Sequence, residues 1–200
     1  MSITIFSLII LLFSTVLHEV AHGSMALRLG DNTAKFSGRL TLNPLKHIDP
    51  FGTIILPALL VLMRSPFVIG WAKPVPVNPY NLRDQKWGML KVSLAGPLSN
   101  LLVALIFGLL IRFVALPEIT STLFGLIVIY NFAWALFNLL PIPPFDGSHI
   151  LFSFLSPRFN NLKIFLHKYG LYILLALLFL GVIDYIFQAA AFLYYLIAGY

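Results

Sequence analysis

The stretch that decides the fold lies near the start of the chain, where residues 3–29 read ITIFSLIILLFSTVLHEVAHGSMALRL. It exceeds the ~20 apolar residues that a helix needs to cross a bilayer, and Gly30 follows as a C-cap. Because the segment has neither a basic start nor a small-residue cleavage site, we expect a retained membrane helix. It nevertheless carries two histidines and a glutamate, and ionisable groups inside a membrane span are costly and usually functional.

The composition of the whole chain also indicates a membrane protein. The 200 residues are 60% hydrophobic and 10% charged, against about 45–50% and about 25% in soluble domains. Further apolar segments lie near residues 51–72, 89–113, 121–140, 169–182 and 185–198. We therefore predict an all-α polytopic membrane protein with about five to six membrane segments, folded as a single domain over residues 1–200. Residues 35–42 alternate in polarity and predict a short β-hairpin.

The net charge of +6 does not point to nucleic acid. Basic residues gather on the cytoplasmic side of membrane proteins, and the sequence has no lysine–arginine run or aromatic–basic stripe of the kind that binds nucleic acid. The chain has no cysteine, so disulfides and thiolate metal sites are excluded.

Residues 18–22 read HEVAH, which is the pattern H-E-x-x-H. On a helix, positions i and i+4 share a face, so His18 and His22 can both ligate one Zn²⁺. Glu19 then lies beside the metal, where it can take a proton from water. Two imidazoles with one carboxylate and no thiolate suit zinc well. The alternative is a pair of interfacial histidines next to a glutamate that snorkels to the headgroups.

A catalytic zinc site has three protein ligands, so an acid or a third histidine must return to the depth of the histidine pair. The candidates are Asp31, His47, Asp49, Asp84, Glu118, Asp146, His149, His167 and Asp184. Asp146 stands out because it belongs to the stretch NLLPIPPFDG, residues 138–147, whose prolines break a hydrophobic helix. Broken backbone is tolerated at membrane depth where it lines a polar cavity. An ordinary Asp-Gly turn is the alternative.

Several motifs together resemble the site-2 protease family of intramembrane zinc metalloproteases. They are HEVAH, GRLTLNP, HIDPFG, GWAKPVPVNP, AGPLSN and NLLPIPPFDG, spread over roughly residues 14–150. The resemblance implies that His18, His22 and Asp146 hold one zinc ion per chain. It also implies that Glu19 is the general base.

The same resemblance assigns the remaining parts of the chain. Asn138 would position the substrate or stabilise the oxyanion, whereas the role of Asn100 in the central AGPLSN motif stays open. The catalytic core would cover about residues 1–150, with accessory helices over about residues 165–200. We see no inserted PDZ domain and no nucleotide-binding module, so the chain looks like a minimal prokaryotic-type member of the family.

Orientation follows from the family and from the charges. The family site lies inside the membrane near the cytosolic face. If residues 51–72 form a re-entrant hairpin, Asp146 emerges on the side where the first helix ends and can reach the metal. Twelve of the thirteen Lys and Arg residues then lie on one side, and only Arg112 lies on the other. This positive-inside split predicts a site toward the cytosol, in a prokaryotic plasma membrane.

These inferences predict an intramembrane zinc endopeptidase that cleaves within or near transmembrane segments of membrane-protein substrates, in regulated proteolysis or in the clearance of membrane remnants. Its partners would be these substrates and the lipid bilayer. A helical substrate must unwind before cleavage, and an edge at residues 35–42 can pair with the extended form. An ordinary hairpin at the membrane surface is the alternative for these residues. Two other classes stay open, a transporter or metal-permeation protein and an inactive membrane scaffold. A transporter needs polar residues along several helices.

Overall fold

The computed structural model describes residues 3–63, 70 and 72–199. Within these residues lie the helices α1 (Ile3–Arg28), α2 (Thr33–Phe36), α3 (Leu56–Leu62), α4 (Gly88–Phe113), α5 (Glu118–Asn138), α6 (Asp146–Phe154), α7 (Asn160–Phe179) and α8 (Val182–Ala198). Short 3₁₀ turns at Pro44–Lys46, Pro79–Asn81 and Pro157–Phe159 and a π-helical turn at Pro50–Ile55 complete the order. This part of the chain contains no strand, which confirms the all-α class.

Four helical stretches are long and apolar enough to cross a membrane: Ile5–Arg28, Gly88–Phe113, Glu118–Asn138 and Pro157–Phe179. They confirm an integral membrane protein, but their number is below the predicted five to six segments. The prediction also counted the interrupted segment 51–72 and the last helix. Helix α8 has 17 residues and measures about 26 Å at 1.5 Å per residue, which is shorter than the ~30 Å of the hydrocarbon core.

The β-hairpin predicted at residues 35–42 is wrong. Residues 33–36 form the single turn α2, and residues 37–42 continue without a strand. The carboxylate of Asp31 accepts hydrogen bonds from the backbone N–H and the hydroxyl of Thr33, and such a local bond competes with extended structure. Gly38 then takes a φ of 62°, a left-handed conformation that is open to glycine.

The segment 51–72 is described only in part. Its first half is helical, with a π-helical turn over Pro50–Ile55 and the helix α3 over Leu56–Leu62. Residues 64–69 and 71, on which a return to the same side depends, lie outside the described residues. The re-entrant hairpin therefore stays a prediction.

Helices α1, α4 and α5 pack against one another, and α8 packs on α4 and α5. Small residues allow these helices to come close, as is usual in membrane bundles. A Cβ added to Gly108 of α4 would lie 2.7 Å from the side chain of Ile197 in α8. The core between these helices consists of Ala104, Ile111, Val128, Phe132, Ala133, Ala190 and Ala198. The polar residues collect elsewhere, where α4 meets α1.

A buried carboxylate joins the end of α1 to the segment before α4. Asp31 is fully buried and accepts hydrogen bonds from the N–H of Asn78 at 2.7 Å and from the amide of Asn81 at 3.0 Å. Burial alone would raise the pKa of Asp31, but these bonds and those from Thr33 outweigh it and hold the pKa below its usual value. Its contribution to stability is therefore complete above about pH 4 and is lost as the pH falls through the lowered pKa.

We expect Asp31→Ala to lower the free energy of unfolding by about 2 kcal/mol, because it removes the acceptor for the N–H groups of Thr33 and Asn78. The thermal unfolding midpoint of the detergent-purified protein measures this loss. Asp184→Ala is the matched control, since Asp184 is exposed in the first turn of α8, where a charge contributes less than this. Equal midpoints for the two variants would contradict the assigned role of Asp31.

Candidate metal centre

Two histidines of α1 and an aspartate at the start of α6, distant in sequence, meet in the structure. Nε2 of His18 lies 3.0 Å from Oδ2 of Asp146, and Nε2 of His22 lies 3.2 Å from the same oxygen. Each residue offers one ligand atom, and these atoms all lie within 4.8 Å of one another. Both imidazoles are buried and the carboxylate is half-buried. The structure thus brings together the three residues that the sequence proposes as metal ligands.

Other acids and histidines that were candidates for the third ligand have different partners in the described part of the chain. Asp31 binds the loop backbone, and Asp84 pairs with Lys91. His47 is buried, and its Nε2 lies 2.9 Å from the carbonyl oxygen of Thr41, which is a packing contact within the loop. These contacts leave Asp146 as the acid beside the histidine pair.

A tight turn directs Asp146 back to the first helix. Helix α5 ends at Asn138, and α6 begins at Asp146 itself. Gly147 lies so close to the preceding backbone that an added Cβ would stand 2.2 Å from the carbonyl oxygen of Leu139. No other residue fits at this position without moving the turn. The Asp-Gly pair therefore lies in a turn that requires glycine, and the carboxylate of Asp146 faces the two Nε2 atoms.

Both histidines also contact α4 through Nδ1. Nδ1 of His22 lies 2.7 Å from the carbonyl oxygen of Val92, and because a carbonyl only accepts, this nitrogen carries the proton. Nδ1 of His18 lies 2.7 Å from Oδ1 of Asn100. Each ring is then left with an Nε2 lone pair directed at Asp146, which is how metal-bound histidines are held by a partner on the other nitrogen.

Asn100 is the centre of a buried polar network. Its amide nitrogen donates to the carbonyl of Ser14 at 3.1 Å and to Oδ1 of Asn131 at 3.0 Å, so its own Oδ1 is the acceptor that faces His18. Asn131 donates in turn to the carbonyl of Ile127. Sequence reasoning missed Asn131. The sequence does contain a sign of it, an amide side chain within an apolar span, where a polar group is energetically costly unless it is hydrogen-bonded.

The geometry of the three side chains fits a zinc ion. Three lone pairs that face one another repel unless a proton or a metal ion lies among them. Ligand atoms at ~2.0–2.1 Å from a tetrahedral zinc stand about 3.4 Å apart, close to the 3.0 and 3.2 Å between the Asp146 oxygen and the two Nε2 atoms. Gly96 of α4 leaves the space open. A Cβ there would lie 2.4 Å from Nε2 of His22 and 2.6 Å from Nε2 of His18.

We expect Gly96→Ala to lower zinc affinity at least about 10-fold, because the added methyl group overlaps both Nε2 atoms and displaces the rings. Competition with a chromogenic chelator measures the affinity. Gly125→Ala in α5 is the matched control, since its Cβ would come no closer than 3.3 Å to another atom, the hydroxyl oxygen of Tyr194. Unchanged zinc affinity in Gly96→Ala would contradict this placement of the metal.

Two further residues were expected to take part in the chemistry. Glu19 is half-buried beside the histidines, and its Oε2 accepts a hydrogen bond from the N–H of Val75 at 2.7 Å. Asn138 lies on the last turn of α5, where its amide nitrogen donates to the carbonyl of Trp134 at 2.9 Å. The roles of Glu19 and Asn138 stay predictions.

Fold and site together define a class of protein. Membrane-spanning helices surround two buried histidines, an aspartate and a glutamate. Metal-dependent hydrolases use the same kinds of side chain to hold a metal ion and to activate water. Comparison with known proteins then gives the family. Residues 115–181 match the model of "Peptidase family M50".

Curated relatives agree with this match. The chain is 38% identical over 186 residues to "Putative zinc metalloprotease YwhC" of Bacillus subtilis, an alignment that covers 88% of this chain and 81% of that protein. It is 31% identical over 169 residues to the protein named "Putative zinc metalloprotease Rip2" of Mycolicibacterium smegmatis, with 84% of this chain and 64% of that protein covered. No solved structure matches the chain significantly.

The chain therefore belongs to peptidase family M50, the site-2 protease family that its motifs resemble. It is a membrane-embedded zinc metalloprotease. The predicted family, enzyme class and zinc cofactor are confirmed, and the transporter and scaffold alternatives are not supported.

Proposed function

We propose that this protease hydrolyses peptide bonds within or near transmembrane segments of other membrane proteins, with one zinc ion held by His18, His22 and Asp146. The depth of the site carries the proposal. His22 lies six residues and His18 ten residues before Arg28, the last residue of α1, which is ~9–15 Å along the helix. A peptide bond that reaches this depth belongs to a segment inside the membrane. Cleavage then releases a regulatory fragment or clears a membrane remnant.

Each residue of the site has a distinct task in this reaction. Zinc, when bound, supplies Lewis acidity that polarises a carbonyl and lowers the pKa of water. Glu19 takes the proton from the attacking water and later delivers it to the leaving amine. Asn138 is the proposed donor to the developing oxyanion, through the amide hydrogen that the carbonyl of Trp134 does not accept. These residues lie within a catalytic core of about residues 1–150, and α7 and α8 are accessory.

We place the site toward the cytosol, in a prokaryotic plasma membrane. Exposed cations lie between the end of α1 and the first turn of α4, namely Arg28, Lys35, Lys46, Lys73, Arg83, Lys86 and Lys91. Arg112 lies at the opposite end of α4. This asymmetry follows the positive-inside pattern and supports a return of residues 51–72 to the cytosolic side. The variant Ser65→Cys tests this return with a membrane-impermeant thiol reagent. Labelling only from the outside of the membrane would contradict a return of residues 51–72 to the cytosolic side.

Metal removal tests the proposed function directly. The detergent-purified protein is expected to carry one zinc per chain and to cleave synthetic transmembrane peptides with a Leu/Ala-rich core. Treatment with 1,10-phenanthroline should abolish cleavage, and added zinc should restore it. Zinc binding without cleavage of any such peptide would contradict the endopeptidase function and favour a scaffold.

We expect Asn100→Leu to weaken zinc binding about 10- to 100-fold, the usual effect of losing the partner of a metal-bound histidine. Leucine has no acceptor for the Nδ1 proton of His18, so the ring is no longer held with Nε2 toward Asp146. Asn160→Leu is the control, because Asn160 is exposed at the start of α7. Chelator competition compares the two variants. Equal zinc affinities would show that Asn100 has only a packing role.

A further inference from the structure

An extended segment of the chain lies against Glu19. It consists of residues 73–77, KPVPV, and we call it the proline strap. Lys73 and Val75 each precede a proline, which restricts both to extended backbone conformations, and the two prolines have a fixed φ. The strap is therefore stiff before any contact forms.

Hydrogen bonds at both ends hold the proline strap in place. At its start, the N–H of Lys73 donates to the carbonyl of His47 at 2.8 Å. Directly after its end, the N–H of Asn78 donates to the buried carboxylate of Asp31 at 2.7 Å. The strap thus has a defined position relative to the end of α1.

Val75 anchors the middle of the strap on α1. Its side chain is buried and packs on Gly23, one helical turn after Glu19. A Cβ added to Gly23 would lie 2.7 Å from Cγ1 of Val75, so only glycine leaves room for this contact. The N–H of Val75 lies 2.7 Å from Oε2 of Glu19, and the hydrogen bonds at both ends of the strap hold it there independently of the side chain.

The sequence of the strap permits a single donor at this place. Proline has no N–H, so between residues 74 and 76 the only backbone N–H belongs to Val75. A backbone N–H that donates to a carboxylate makes a charge-assisted bond, stronger than a neutral one. The bond restricts rotation of the Glu19 carboxylate and leaves Oε1 as the oxygen without this donor.

We propose that the main-chain N–H of Val75 is a positioning group for Glu19, which holds the carboxylate so that Oε1 faces the attacking water. The inference rests on the proposed function, because it takes Glu19 as the general base. The proton moves from water to Oε1, and the Val75 N–H keeps its own proton throughout. Val75 acts through Glu19 and does not touch the substrate.

Two substitutions at one position separate the N–H from the side chain. Val75→Pro removes the N–H while keeping an apolar ring and an extended backbone, and Val75→Ala keeps the N–H while losing most of the side chain. We expect Val75→Pro to lower kcat about 10- to 100-fold, the cost of a misaligned catalytic group, with KM and zinc affinity unchanged. Val75→Ala should keep kcat within about 3-fold of wild type. Equal losses of kcat in the two variants would overturn the proposal.

Infrared spectroscopy gives a readout that does not depend on cleavage or on zinc. Glu19 and Glu118 are the only glutamates in the chain, so glutamate labelled with ¹³C at the side-chain carboxyl, combined with Glu118→Gln, leaves Glu19 as the single labelled carboxylate. Its asymmetric stretch should shift in Val75→Pro and stay at the wild-type frequency in Val75→Ala. No shift in Val75→Pro overturns the proposal. If the stretch shifts in Val75→Pro but the wild-type protein cleaves no peptide, the contact between Val75 and Glu19 stands and the proposed function is contradicted.

Discussion

Replacing Glu19 by glutamine is expected to lower kcat for peptide cleavage by about 10²- to 10⁴-fold, the range supplied by a positioned general acid–base group. Glutamine matches glutamate in size, and its Oε1 can still accept the N–H of Val75, so the local packing is preserved. It cannot take a proton from water at neutral pH. Zinc affinity should stay within about 3-fold of wild type, because the loss lies in proton transfer and not in metal ligation.

Glu118→Gln is the matched control for this experiment. Glu118 is the other glutamate of the chain and is exposed in the first turn of α5. Its substitution makes the same chemical change far from the histidine pair and should leave kcat and zinc content unchanged. A Glu19→Gln protein that cleaves as fast as this control would remove Glu19 as the base. Loss of zinc in Glu19→Gln would make the residue a ligand.

The parts of the site that the sequence predicts are those set by local geometry. The i, i+4 spacing of His18 and His22 guarantees a shared face on any helix, and an apolar span around them guarantees the helix. Asp146 is farther away in sequence, but the prolines before it break a hydrophobic helix, which distinguishes it from the other candidate acids. Local rules thus reach the three residues that the structure brings together.

The contacts that orient these ligands follow from tertiary packing, which local rules do not contain. Asn131 reaches Asn100 because α5 packs on α4. Val75 reaches Glu19 through a backbone N–H, a group that every residue but proline possesses, so its side chain gives no sign of the role. The proline pattern of the strap can be recognised in the sequence, but its contact with Glu19 cannot.

The error at residues 35–42 has the same origin. Their alternating polarity fits a strand, yet a two-stranded hairpin is only marginally stable without a surface to pack on. Asp31 supplies a competing set of hydrogen bonds to Thr33, Asn78 and Asn81. These bonds tie the start of the segment to the end of α1, and a helical turn forms instead. A long-range network therefore overrides a short-range pattern.

Replacing Asp146 by asparagine is expected to weaken zinc binding by more than the about 10- to 100-fold that an outer partner contributes, and to abolish cleavage. Asparagine keeps the shape of the turn before Gly147 but removes the charge that faces both Nε2 atoms. His18 and His22 keep their Nδ1 partners, so the pair stays oriented with two ligands in place of three. Excess zinc should then raise the thermal midpoint of the wild type but not of the variant.

Asp184→Asn provides the matched control, because Asp184 lies in the first turn of α8 and its substitution should leave zinc binding and the zinc-induced rise in midpoint intact. A wild-type affinity in Asp146→Asn would move the third ligand to another residue, with His149 on the same helix as the first to test. Loss of zinc in Asp146→Asn together with its retention in Glu19→Gln separates ligation from proton transfer. The two carboxylates, 127 positions apart in the chain, would then have one role each, and neither substitution could be read as general damage to the fold.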